Sequence, residues 1–239
     1  MDIYSVIGMG DLIRGNPYVG RGIVAGLTPD GKKTATAYFI MGRSENSRNR
    51  VFIEEGDDLR TAPYDPAKVK DPSLIIYYPV RTAGGKLIVT NGDQTDTIRD
   101  GLAAGKTFSA ALRTREFEPD APNFTPRISA LIDLDGTSYE MSILKSADAD
   151  GTACNRFTFD YSPLPGLGHF IHTYVTDGNP IPTFQGEPER VLIPQNIDEF
   201  TEDIWENLDG NNRISLYVRY TDIATGEYEK RLINKYVKE

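Results

Sequence analysis

The chain has 239 residues, with 26 Lys and Arg against 35 Asp and Glu, a formal net charge of −9. That balance argues against nucleic acid or an anionic membrane as the main partner, although local arginines can still outweigh a distant average and hold a small anion. With hydrophobic residues at 39%, the length suits one large domain over 1–239 with a substantial core.

Short β-rich runs dominate. Candidate strands lie near 3–8, 21–27, 35–42, 50–54, 73–80 and 86–90, and again near 127–133, 138–144, 155–161, 169–175, 214–221 and 227–233. Turn signals separate them, and Asp135-Gly136 and Thr225-Gly226 join apolar-rich runs as hairpins. Helical spacing runs from Asp93 to about Arg115 through Ile98, Leu102, Phe108, Ala111 and Leu112, with a break near Gly105. Asp93 is the expected N-cap, with Asp96 in a capping-box-like role. A second helix is expected from Ile197 to Leu208, stopped by Asp209-Gly210. Many antiparallel strands and two main helices imply a layered α+β fold.

Four segments concentrate polar groups beside apolar runs. In Asn16-Pro17-Tyr18-Val19-Gly20-Arg21-Gly22, glycines flank Arg21 and leave its guanidinium unobstructed. Between two strands, Arg43, Arg48 and Arg50 fall within eight residues, with Ser44, Asn46 and Ser47 among them and Glu45 as the one acid. Such forks suit phosphate or carboxylate; a solvated hairpin tip is the plain alternative. Thr90-Asn91-Gly92-Asp93-Gln94-Thr95-Asp96 forms a strand-to-helix turn. Its acidity would repel phosphate but suits amide or hydroxyl groups of a ligand; simple capping is the alternative. Glu118 precedes Thr125-Pro126-Arg127-Ile128 and could serve as a general acid or base if the fold buries it; otherwise it is a loop carboxylate. Of the pair Tyr77-Tyr78, only one phenol can face a given pocket.

Other chemistries have weaker support. His169 and His172, the only histidines, would face opposite sides of a strand, so no metal site is expected. The single Cys154 has no evident activating partner, permits no intrachain disulfide, and fits a reducing cytosol. There is no GxGxxG, Walker loop or GxSxG, hence no expected nucleotide cofactor or serine elbow. With no signal peptide and no apolar run long enough to span a bilayer, a cytoplasmic protein is expected.

Taken in order, Tyr18-Val19-Gly20-Arg21, Arg43-Ser44 with Asn49-Arg50, Asp71-Pro72 leading to Tyr77, Asn91-Gly92 with Thr95-Asp96-Thr97-Ile98, Glu118, and Thr125-Pro126-Arg127-Ile128 resemble the archaeal-type inosine monophosphate (IMP) cyclohydrolase family over about residues 16–135. The resemblance implies a four-layer αββα sandwich like that of N-terminal nucleophile hydrolases, with mostly antiparallel sheets. It implies dehydrative closure of formamidoimidazole-carboxamide ribonucleotide (FAICAR) to IMP, the last step of purine biosynthesis. Carried over by motif, Arg50, Tyr77 and Glu118 are the expected catalytic residues. Arg21, Arg43, Ser44 and Arg127 would take phosphate or ribose, and Asn91, Asp93 and Asp96 would orient the base or the carboxamide. No cofactor or metal is implied; the partner is a small purine ribonucleotide, and a homo-oligomer is compatible. The chain departs from shorter family members by about sixteen residues ahead of Tyr18 and by extra loops near 45–48 and 163–190. A non-catalytic nucleotide binder and an amide hydrolase on the same scaffold are the competing readings; the latter would need cleavage to free Tyr18.

Overall fold

Side-chain alternation in the central strands decides how the molecule is layered. The computed structural model describes residues 4–69 and 76–236. In β1 (Arg21–Leu27), Ile23 and Ala25 point to one side and Val24 to the other, and both sides are buried. In β2 (Lys33–Met41), Tyr38 and Ile40 share the first side, while Ala35, Ala37, Phe39 and Met41 share the second. A strand apolar on both faces must be covered on both.

These strands lie at the centre of a six-stranded sheet. Its other members are β10 (Leu167–His172), β11 (Glu189–Leu192), β12 (Arg213–Asp222) and β13 (Tyr228–Asn234), in the order β11-β10-β1-β2-β12-β13. A seven-stranded sheet runs in chain order through β3 (Val51–Glu55), β4 (Asp58–Ala62), β5 (Val80–Ala83), β6 (Lys86–Thr90), β7 (Arg127–Asp133), β8 (Tyr139–Ser146) and β9 (Cys154–Tyr161). The named strands of both sheets pair antiparallel.

Three apolar clusters tie the elements together. Ile23, Tyr38 and Ile40 meet Phe52, Leu87, Val89, Ile128 and Met141 between the two sheets. On the far side of the first sheet, Val24, Phe39 and Leu216 receive Met9 and Ile13 of α1 (Met9–Ile13) and Phe200 and Ile204 of α5 (Ile197–Asn207). On the far side of the second, Ile88, Leu131 and Leu144 receive Ile98 of α3 (Gln94–Ala103) and Phe108 and Leu112 of α4 (Phe108–Leu112). Among the described residues, no helix is long and apolar enough to cross a membrane.

Several expectations need correction. The strand near 3–8 does not form: Ile7 makes one isolated bridge with Val191, and a short helix follows. Met9 and Ile13, four apart, bury one face of that helix, and Gly10 donates its N–H to Asp203 of α5 at 2.7 Å. Part of the strand expected at 73–80 lies outside the described residues, as does Asp71-Pro72; among the described residues the strand itself starts at Val80, after Pro79, which has no N–H to give a ladder. β4 and β11 were not expected. The helical stretch expected over 93–115 is broken near Gly105 (φ 75°), as its spacing indicated, into two helices. Asp93 lies in helical geometry without a side-chain capping bond, because its carboxylate is drawn to arginines instead.

Candidate active site

Alternate strands of an antiparallel sheet run the same way, so β3, β5 and β7 start at one common end. Arg50 immediately precedes β3, Tyr77 stands just ahead of β5, and Glu118 lies in the loop leading to β7. Arg21 opens β1 in the opposing sheet and shares the inward parity of Ile23 and Ala25. These four residues therefore neighbour one another at one end of the space between the sheets. Arg21 senses Glu118 and Tyr77; Arg50 senses Arg21 and Tyr77; Glu118 senses Arg21 and Arg50.

Arg50 is only 2% exposed. Its Nε donates to the Ser47 carbonyl at 2.9 Å, while Nη2 is buried without a partner among the described residues. The Nε of Arg21 is in the same condition. Neither guanidinium forms an ion pair with any described acid. A buried donor left unsatisfied costs about 1–3 kcal/mol, and two cations side by side add repulsion. Both costs are relieved by an anionic or carbonyl oxygen placed between them.

Burial and the neighbouring Arg21 charge lower the proton affinity of Arg50. Burial works the same way on Arg21, but Tyr18, Glu118, Tyr174 and Tyr77 outweigh it and the net shift is upward. Of these neighbours, Glu118 is the one carboxyl. Glu118 keeps part of its surface open, yet protein crowds it on most sides. Burial pushes its carboxyl above the usual carboxylate range, and Arg21, Arg127 and Arg50 offset this only in part.

Tyr77 is fixed by its backbone. Its N–H donates to Thr61 Oγ1 at 3.0 Å, and its carbonyl accepts the Thr61 N–H at 2.9 Å. Its hydroxyl lies 3.1 Å from that of Tyr38, a pair buried between the sheets.

The remaining expected site residues divide differently. Arg127 donates to Asp93 and to Gln94 Oε1, both at 2.8 Å, and remains an electrostatic neighbour of Glu118. Arg43 is paired with Asp177, donates to the Gly178 carbonyl at 2.8 Å, and lies over the Tyr18 ring. Ser44 caps α2 (Glu45–Arg48) in a reciprocal arrangement with Ser47. Of the three arginines in the 43–50 segment, Arg50 is the one that neighbours Arg21 and Tyr77; Arg48 bonds the Gly42 carbonyl and Asn212.

Asn91 was expected to orient a base, but it is a buried tie. Its Nδ2 donates to the Pro126 carbonyl at 2.8 Å, and its Oδ1 accepts from Ile128 N–H at 2.9 Å and Gln94 Nε2 at 3.0 Å. Asp93 pairs with Arg115 and Arg127, and Asp96 pairs with Arg81 and Arg99. In both aspartates these pairs are made through Oδ1.

Sequence reasoning missed Tyr38, Tyr174 and the role of Thr125. Tyr38 shares the inward parity of Ile40, a signal present in β2. Tyr174 stacks on Tyr18 with centroids 5.7 Å apart, and its hydroxyl lies 2.5 Å from Thr125 Oγ1. That contact spans 49 residues and carries no local signature. The two histidines face apart as expected: His169 Nδ1 meets Tyr139 Oη at 2.6 Å, whereas His172 stacks on Phe170.

A family model described as IMP cyclohydrolase-like protein matches residues 18–227. The chain is similar to the IMP cyclohydrolase of Methanopyrus kandleri, with 36% identity over 120 residues, covering 48% of this chain and 59% of that protein. Likeness to the IMP cyclohydrolase of Halobacterium salinarum is 32% over 126 residues, covering 51% and 60%. For that of Methanococcus aeolicus it is 28% over 162 residues, covering 66% and 74%. The chain therefore spans about 60% of the length of the first two relatives. With most of its length matched by the family model, the chain belongs to the IMP cyclohydrolase-like protein family.

Proposed function

We propose that the protein is an IMP cyclohydrolase, closing FAICAR to IMP with loss of water. The observation that carries this is the pair of buried, unpartnered donors, Arg50 Nη2 and Arg21 Nε, beside a carboxyl of raised proton affinity and the Tyr77 phenol. The carboxamide nitrogen attacks the formyl carbon, forming the C–N bond of the ring. The formyl oxygen takes up a proton, becomes a carbinol, and leaves as water while the ring nitrogen gives up its proton.

Arg50 and Tyr77 polarise the formyl oxygen, a kind of contribution worth roughly 10²–10³-fold per donor. Glu118 accepts the carboxamide proton and passes it on, worth roughly 10²–10⁴-fold. Holding the formamide in the attacking rotamer supplies up to about 7–11 kcal/mol. Arg21 and Arg127, with Arg43 and Ser44 at the rim, receive the ribose phosphate; Asn91, Asp93 and Asp96 act on the substrate indirectly, by fixing Arg127 and the turn. Addition and dehydration use only proton transfers, so no cofactor is part of the proposal. The reading extends to one domain over 1–239, a four-layer αββα sandwich of the N-terminal nucleophile hydrolase kind, and a cytoplasmic location. The segment ahead of Tyr18 is packed into the core through Met9 and Ile13, which favours ring closure over an amide hydrolase with a freed terminus.

Purified protein given FAICAR, without added folate or metal, is expected to form IMP, followed by absorbance. Arg50→Met is expected to lose at least about 10²-fold in kcat with an unchanged circular dichroism spectrum. FAICAR left intact by the wild type, or full turnover by Arg50→Met, would refute the assignment.

A further inference from the structure

The loop that presents Glu118 is closed on itself by one side chain that the proposed chemistry does not use. The Asp120 carboxylate accepts the Thr125 N–H at 2.6 Å through Oδ1 and the Thr125 hydroxyl at 2.5 Å through Oδ2. Thr125 in turn accepts the Glu118 N–H at its carbonyl, at 2.9 Å. The carbonyl of Asp120 takes the N–H of Asn123 at 3.1 Å. Both ends of the loop are thus locked through a single residue pair.

An ionised carboxylate only accepts hydrogen bonds. With Asp120 ionised, the proton on Thr125 Oγ1 is committed to it, so at the 2.5 Å contact between Thr125 and Tyr174 the phenol must be the donor. The order is Tyr174 to Thr125 to Asp120. This leaves the lone pairs of the Tyr174 oxygen unopposed beside Arg21, which counts Tyr174 among its electrostatic neighbours. The groups facing Glu118 are Arg21 from β1, Arg127 from β7, Arg50 from ahead of β3, and Asp120 from its own loop. Asp120 is the only anion of the four.

We propose that Asp120 is a positioning residue for the reaction: its carboxylate clamps the Glu118 loop through Thr125 and sets a fixed negative charge beside the Glu118 carboxyl. The first role holds the carboxyl beside Arg21 and Arg50. The second adds to burial in opposing the three arginines, which favour the ionised carboxyl and so weaken Glu118 as a proton acceptor. The inference rests on the proposed role of Glu118 as the group that moves the proton.

Asp120→Asn removes the charge and keeps one acceptor oxygen for the Thr125 N–H, while the amide NH2 that replaces the second oxygen can donate to Thr125 Oγ1 instead of accepting from it. Two readouts are compared with the wild type: the ¹³C titration of the Glu118 carboxyl, identified by its loss in Glu118→Gln, and the pH profile of FAICAR turnover. Both the titration midpoint and the acid limb of kcat are expected to move to lower pH together, with KM unchanged. A Glu118 midpoint at the same pH in both proteins overturns the proposal, as does a uniform fall in kcat with an unmoved limb. Should Asp120→Asn fail to fold, Thr125→Val, which frees the carboxylate from the hydroxyl, is expected to move the midpoint, and an unmoved midpoint is equally fatal. If the midpoint moves while neither protein closes FAICAR, the positioning role stands and the proposed activity falls.

Discussion

Glu118 is held in an environment that disfavours its charge, so the residue proposed to move the proton should weaken the fold. Its carboxyl titrates above the usual range because burial outweighs Arg21, Arg127 and Arg50. A folded-state value above the unfolded one means that its favourable contribution is complete at acid pH and is lost as pH rises through the raised value. Glu118→Gln is therefore expected to match or exceed the wild type in thermal stability at neutral pH, with the gain vanishing on acidification below the ordinary carboxylate range. Differential scanning fluorimetry across pH checks this, and a variant that is less stable at neutral pH would contradict it. The same value fixes the sign for turnover, which should fall as pH drops through it. The chemistry at Glu118 and the orphan donors of Arg50 were legible as residue types; burial was not, since nothing near Glu118 in the chain announces that Arg21, Arg127 and Arg50 surround it.

At the scale of elements, the strand-to-helix turn after β6 shows how one motif can serve support where binding was expected. Asn91 joins Pro126 and Ile128 of the β7 start to Gln94 of α3, all of it buried. Asn91→Ala would leave the Ile128 N–H and the Pro126 carbonyl unsatisfied. The expected cost is about 2–4 kcal/mol, read as a lower urea midpoint. Because Ile128 is next to Arg127, a lower affinity for IMP should accompany it. The long central strands and the α5 helix were readable from alternation and spacing, as in Ile23-Val24-Ala25 and Phe200 with Ile204. β4 and β11 were not, being short strands interrupted by polar residues whose pairing is set by β3, β5 and β10. The Asn91 motif was seen correctly as a special turn, but spacing alone does not distinguish a side chain that holds a neighbouring strand from one that holds a ligand.

For the whole molecule, the proposed site draws on both sheets, with Arg21 from one and Arg50, Tyr77 and Glu118 from the other. Saturating IMP should stabilise the folded state, by about 2.7 kcal/mol at a hundredfold excess over Kd. Arg21→Met is expected to abolish that stabilisation, measured by thermal denaturation with and without IMP. The layer order was legible only as a class, since many strands and two helical regions are compatible with several stackings. The common starting end of β3, β5 and β7 also leaves the opposite rim of the molecule chemically idle. There, between β3 and β4 and between β5 and β6, Gly56, Gly84 and Gly85 turn in open space. A dye, an affinity handle or a surface tether grafted at those bends would report on the protein, or hold it in place, a full strand's length from the residues proposed to react.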